Sequence, residues 1–388
     1  MLDGLVVNDN RYRIFIIGAG FSVHAGLPLG TDLLELVRER IRYRLGNENK
    51  LESDLSWYLS YRRRCEFITA DVPVDYEKFM SFLDMEHYLG LKGGDTWSEE
   101  GNESQLMIRN GIMEVIHSRQ PDIPTDECIR FCQSLSPSDT ILTFNYDTLI
   151  EDTLDHLGIR YRLFPNRLKK VGLMSSTIDS KAEEGEIVIL KLHGSIDWFN
   201  KVPYIKDRKL AAQHEIPWES KHPIFKQGST IEHHQLTQGP READDPLQYI
   251  YRVNDLNQII GAKFWQCCPL ILSPSSSKIL YADPIKGLWR GIQKAGGLNF
   301  GLGVIGYSLP PYDEYAKQAL YHLIRNYTEF EPNLELGGLR KSPIRILDYV
   351  PSGESDWRIR RNYSFINWER CELMTTGLSL EGVEWIME

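Results

Sequence analysis

Six short apolar runs punctuate the chain: Arg13–Gly18, Thr140–Phe144, Ile187–Leu192, Pro269–Ser273, Phe300–Tyr307 and Ile344–Asp348. Most are continuously apolar rather than alternating, the pattern of parallel strands buried on both faces. Helical periodicity fills several of the gaps. Asp32–Leu45 places Leu33, Leu36, Val37, Ile41 and Leu45 on one stripe, with Asp32 and Glu35 at the positive N-terminal end. Asn145–Leu157 does the same with Leu149, Ile150, Leu154 and Leu157, and Gly158 sits where a helix stops. Strands alternating with helices predict an α/β fold, a Rossmann-like doubly wound parallel sheet.

Two spacers are too long for simple crossovers. Residues 46–139 read as a helical insertion, with DYEKFMSFLDMEHYLGL its clearest amphipathic piece. Residues 199–262 are polar and weakly periodic, and read as a loop-rich insertion. The sheet domain is therefore expected over 1–45 and 140–350. Residues 351–388, with Trp357, Trp368 and Trp385, are expected to form a C-terminal tail or an assembly segment.

A net charge of -10 over 388 residues argues against general nucleic-acid binding. The basic clusters at Arg38 to Arg44, Arg62 to Arg64 and Arg358 to Arg361 read as solvated faces, with a patch for a partner protein as the alternative. Six cysteines form no C-x-x-C pair, so a structural zinc site is not expected, and reduced thiols suit a cytoplasmic protein. MLDGLVVNDN lacks the basic lead and apolar core of a signal peptide, and no run is solidly apolar for the length of a membrane span.

Four fragments carry candidate chemistry. In GAGFSVHAGLP a strand runs into a glycine turn that can bring backbone amides to a pyrophosphate. Val23 replaces the third glycine of the dinucleotide fingerprint, and the chain has no Gly-Lys dipeptide for a phosphate-binding P-loop. In TFNYD, Asn145 and Asp147 either cap the next helix or face a ligand at a strand end. In LHGS, His193 is either a satisfied structural histidine or a proton acceptor, beside Gly194 where a ligand can approach the backbone. In VIGYSLPPYDEY, Gly306, Tyr307 and Ser308 end another strand, and Asp313 reads as a helix cap.

Taken in this order, GAGFS with GLP, TFNYD, LHGS and GYSLP resemble the sirtuin fold, whose deacylases carry GAG-x-S, GIPDFR, TQNID, HG and GTS. The wording GLPLG, TFNYD, LHGSIDW and GYSLPP looks most like the bacterial sirtuin-like effectors of antiviral defence, which hydrolyse NAD. Leu29, Gly30 and Thr31 stand where deacylases have Asp-Phe-Arg, and the deacylase zinc ribbon is missing. The resemblance implies NAD as substrate, with no metal. Asn145, Asp147 and His193 would be catalytic. Gly18, Ala19, Gly20, Phe21, Ser22 and Gly194 would meet the dinucleotide, with Gly306, Tyr307, Ser308 and Asp348 on its adenosine side. It also implies a homo-oligomer acting beside a HerA-type hexameric ATPase, with no nucleic acid bound directly and no membrane attachment.

Overall fold

Five of the six apolar runs lie side by side in one sheet. The structure, a computed structural model, describes residues 11–67, 74–96, 98–165, 167–170, 177–179, 185–263, 266–336 and 338–388. The N-terminal stretch MLDGLVVNDN and a short part of the helical insertion lie outside the described residues. Strands β1 (Arg13–Ile17), β2 (Thr140–Thr143), β3 (Tyr161–Arg162), β4 (Ile187–Lys191), β5 (Gly301–Ile305), β6 (Ile344–Leu347) and β7 (Cys371–Met374) form the sheet. Their order is β7-β6-β5-β1-β2-β4-β3, and every pairing is parallel.

The chain enters at the centre. Ile17 at the end of β1 is in register with Thr143 of β2 on one side and Ile305 of β5 on the other. The strand order therefore reverses at β1, and the crevice beyond the carboxyl ends of such strands is where doubly wound sheets take ligands.

Six helices occupy the first half: α1 (Gly30–Leu45), α2 (Lys50–Cys65), α3 (Tyr76–Tyr88), α4 (Glu103–Arg119), α5 (Asp126–Gln133) and α6 (Leu149–Leu157). Four of these starts are chemically specified by their N-caps. Asn49, Asp75 and Thr125 accept backbone N–H bonds at the N-caps of α2, α3 and α5. Asn102 and Gln105 form a reciprocal capping box on α4. The side chains of α4 from Ser104 to Ile116 are buried on every face, so that helix shows little amphipathic pattern.

The helices divide between two cores. Leu33, Val37 and Ile41 of α1 join α2, α3 and α4 in one apolar cluster that also holds Ile196, Phe199 and Val253. Cys128, Phe131 and Cys132 of α5 instead join the sheet core with Phe15 and Phe21. Packing thus places α1 with the helical lobe and α5 with the sheet.

Three expectations meet a different structure. Pro269–Ser273 forms no strand; only Ile271 makes a bridge, to Gly194. The run is apolar because Leu270, Ile271 and Leu272 are wedged into the two cores. The loop-rich insertion holds the Val202–Gln213 helix and an antiparallel sheet of Trp198–Asn200, Ile250–Val253 and His233–Gln235. That helix buries only Ala211, so it has no apolar stripe to announce it. The C-terminal segment supplies edge strand β7 and the Leu380–Met387 helix, whose Val383 and Ile386 enter the sheet core.

The first arginine cluster is partly exposed, yet each of its arginines is paired. Arg38 and Arg42 share Glu52 of α2, while Arg40 and Arg44 close on the buried Glu114 of α4. These pairs hold α1 against its neighbours.

At the centre of the sheet two turns touch. The Gly18 and Gly20 amides donate to the Ile305 and Gly306 carbonyls, at 3.0 and 2.9 Å. A Cβ on Gly18 would lie 2.6 Å from the Tyr307 Cα, and one on Gly20 would lie 2.7 Å from the Gly306 Cα. Gly306 itself has φ +59°, and a Cβ there would overlap the Gly20 backbone. Gly306→Ala is expected to cost about 2 kcal/mol or more of folding stability, measured as the shift in urea midpoint at constant slope. A midpoint unchanged from wild type would show that the turns can separate at no cost.

Candidate active site

The rim of the sheet is built from strand ends that the pairing brings together. Thr143 of β2 is in register with Lys191 of β4, so Asn145 and His193 each lie two residues past a paired position on neighbouring strands. The Leu192 amide donates to the Thr143 carbonyl at 2.8 Å and continues that alignment.

Asn145 does not cap α6. Its Nδ2 donates to the Gly18 carbonyl at 3.0 Å and to Ser22 Oγ at 3.1 Å. Ser22 Oγ in turn donates to Asp147 Oδ2 at 2.9 Å, and Asp147 Oδ1 accepts the Leu149 amide at 3.2 Å. Asp147 therefore keeps a capping role while also joining the glycine turn. Beneath the turn, the fully buried Lys191 binds Glu151 at 2.7 Å and donates to the Asp147 carbonyl. Asn145, Asp147 and Ser22 are all buried, so this polar chain is fixed rather than solvated.

His193 is 4% exposed. Its ring meets Phe144 edge-on at 5.0 Å, and its Nε2 pairs with the Tyr315 hydroxyl. The Phe144 carbonyl beside the ring favours a ring proton. In the neutral tautomer with its proton on Nδ1, Nε2 accepts from Tyr315. Burial pushes the His193 pKa down to about 3, and the Lys278 charge lowers it further against an opposing effect of Asp313.

Several groups around His193 escape the sequence motifs. Lys278, buried at the start of the short turn Lys278–Tyr281, forms an ion pair with Asp313. Asp313 makes no cap bond to the helix that follows; its Oδ2 accepts the Tyr307 hydroxyl at 2.9 Å. Burial raises its pKa, but the neighbouring His193 and Lys278 outweigh burial and hold it below the usual carboxylate range. Glu77 of α3 is pushed up to about 7, first by burial and then by Asp313 and Asp75, against the pull of Lys278. Tyr315 is two residues past Asp313 in a motif already singled out, yet a tyrosine in a helix pattern signals only packing. Lys278 follows a polar serine run and carries no sequence signal at all.

The predicted binding residues separate into outward and inward groups. Ala19 is exposed, whereas the amides of Gly18, Gly20, Phe21 and Ser22 are bonded within the protein. The Phe21 side chain turns into the core against Phe131. Gly194 has φ +80°, and the backbone that closes on it is Leu270's. Tyr307 stacks on Phe144 at 4.0 Å with rings 4° apart. Ser308 is half-buried, and its carbonyl accepts from Asn362 at 2.7 Å. Asp348, just past β6, is buried with Oδ2 unpartnered; burial raises its pKa. An orphaned carboxylate oxygen suits a ligand hydroxyl.

A cavity of about 430 Å³ lies elsewhere, against β3 and His233–Gln235, and none of the predicted residues lines it. Its charges are committed to structure: Arg167 and Arg162 flank Glu186, and Arg252 grips Asp197 at 2.6 Å. The candidate residues gather instead at the closed rim. Among the described residues no cluster of His, Cys, Asp and Glu is placed to hold a metal, and no helix is long and apolar enough to cross a membrane.

Residues 139–253 match the SIR2-like domain family. That segment carries β2, β4, Asn145, Asp147 and His193, while the glycine turn and Gly306 lie outside it. No curated protein matches the chain. One solved structure, "The Structural basis of Sirtuin Substrate Affinity", is 13% identical and covers 98% of this chain and 94% of its own, with a TM-score of 0.32. A score that low transfers no positions from one molecule to the other.

Burying His193 uncharged links the rim to stability. The unfolded histidine titrates near 6.5 and the folded one near 3, so between those values only the unfolded chain takes up the proton. Stability is expected to fall as pH drops through that window, and less steeply in His193→Gln. Thermal melting across the window checks this. Parallel curves for the two proteins would show that His193 is not buried in its neutral form.

Proposed function

We propose that this chain is an NAD glycohydrolase, releasing nicotinamide and ADP-ribose. The observation that carries the reading is the Asn145 amide, buried and bonded to both the Gly18 carbonyl and Ser22, on the same rim as a neutral His193. The SIR2-like segment supports NAD as the substrate, because that segment holds both residues.

The roles follow from the groups present. Asn145 offers a fixed dipole to the ribose bearing the scissile bond, and Asp147 holds Ser22 and the turn in place. A neutral His193 is able to accept the proton released when water captures the ribosyl cation. Placed proton transfer is worth roughly 10²–10⁴-fold, and preorganised dipoles about as much again. Nicotinamide leaves as a neutral molecule. Ala19 and Ser308 face the phosphate and adenosine portions, and Asp348 Oδ2 accepts a ribose hydroxyl.

Unrestrained loss of NAD would kill the host cell, so the reading extends to a cytoplasmic effector of antiphage defence, held in check by assembly. Its partners would be further copies of the chain and a HerA-type ATPase, with the α1–α4 lobe as a contact surface.

Incubating the purified chain with NAD tests this, alone and with the ATPase, and with or without an acetylated peptide. Free ADP-ribose without peptide is expected. Peptide-dependent turnover would indicate deacylation or ADP-ribosyl transfer, and bound but intact NAD would indicate a scaffold. Asn145→Ala and His193→Ala are each expected to lose about 10²-fold or more in nicotinamide release while still folded. Normal turnover in either variant removes that residue from the chemistry.

A further inference from the structure

For His193 to take a proton, Nε2 must be reachable, and Tyr315 stands in front of it. The phenol is either a removable plug or a built part of the proton path. Its surroundings decide between these. Trp289 meets the Tyr315 ring edge-on at 5.2 Å, and the Lys278 Nζ lies 5.7 Å from the ring centroid. Trp289 is itself pinned by a 3.2 Å bond from its Nε1 to the Leu192 carbonyl, and Lys278 is pinned by Asp313. The helix carrying Tyr315 is anchored by the buried Leu320, Leu323 and Ile324. A side chain held between Trp289 and Lys278, and from behind by its helix, is preorganised, not poised to leave.

We propose that Tyr315 relays the proton to His193, a role that rests on the glycohydrolase reading above. The bond between the anomeric carbon and nicotinamide breaks, and its electron pair leaves with nicotinamide. The water oxygen bonds to that carbon. The water's proton passes to the Tyr315 oxygen as the phenol proton passes to Nε2. The phenol is regenerated, and the imidazole is left as imidazolium. It returns to neutral by passing that proton back through the Tyr315 hydroxyl to solvent.

The groups facing this pair are Lys278, Asp313, Tyr146 and Glu77. Lys278 opposes charging of the imidazole and Asp313 favours it, so the relay works between opposed fields.

Tyr315→Phe keeps the ring and removes only the hydroxyl. In the full chain, nicotinamide-release kcat is expected to drop by about 10²-fold or more while KM stays within roughly twofold. The acid limb of the pH profile should move upward, because the lost bond favoured the neutral ring. Tyr312→Phe is the control: it removes a 3.1 Å bond to Asp75 in the same segment and should leave both quantities unchanged. A kcat at or above wild type in Tyr315→Phe, as a plug would give, overturns the relay, and so does an equal loss in Tyr312→Phe. If wild type releases no nicotinamide even with its partner, the functional reading fails on its own account. Nitrogen NMR of His193 in the labelled chain then decides the pairing: an upward titration shift in Tyr315→Phe upholds it, and an identical titration overturns it.

Discussion

Two backbone turns meet at the centre of the sheet with no room for a side chain between them. Gly18 and Gly20 approach the Gly306–Tyr307 backbone so closely that any Cβ would collide. This contact sets where Ser22 lies, and Ser22 with the Gly18 carbonyl sets where the Asn145 amide points. The rim geometry therefore depends on a steric requirement, not on the strength of any one hydrogen bond. It also redefines the glycines: they serve loop against loop, and the loop presents Ala19 rather than an open cradle of amides.

The polar groups gathered around that contact are costly to bury. Lys191 with Glu151, and Lys278 with Asp313, are ion pairs whose members are almost wholly removed from water. Such pairs roughly break even against apolar residues of the same shape, so stability alone does not call for them. Here each positions something else. Lys191 holds the Asp147 carbonyl, and Asp313 ties Tyr307 and Lys278 beside His193. Buried charge concentrated at one end of a sheet, with a histidine driven neutral, is the electrostatic signature of a site rather than of a core.

Much of this was readable from the chain, and what was not has physical causes. The central strands declared themselves because burial on both faces demands unbroken apolar runs. Pro269–Ser273 met the same demand without pairing, since a segment wedged between two cores is as apolar as a strand. Cys371–Met374 pairs on one side only, at the sheet edge, and its Glu372 bonds Arg345 across the strands, so no continuous run marks it. Asn145 and His193 stood out by lying just past strands. Capping was nevertheless assigned to the wrong partner. Asp313 begins a helix yet gives its carboxylate to Lys278, a residue 35 positions away that no local pattern connects to it. Tyr315 was hidden for the opposite reason, because a tyrosine on an amphipathic helix already has a sufficient explanation.

The rim is also where the two cores meet. Phe144 belongs to the sheet core, whereas Tyr146 packs against the helical lobe and donates to the Leu272 carbonyl at 2.6 Å. Asn145 lies between them, so its backbone is fixed from both sides. The same junction recurs at Glu77 of α3, which lies within the field of Lys278 and Asp313. A shift of the helical lobe against the sheet would have to move these groups together, since packed interiors yield by discrete rearrangement rather than by bending. The lobe that reads as an insertion in the sequence thus packs against the rim that carries His193.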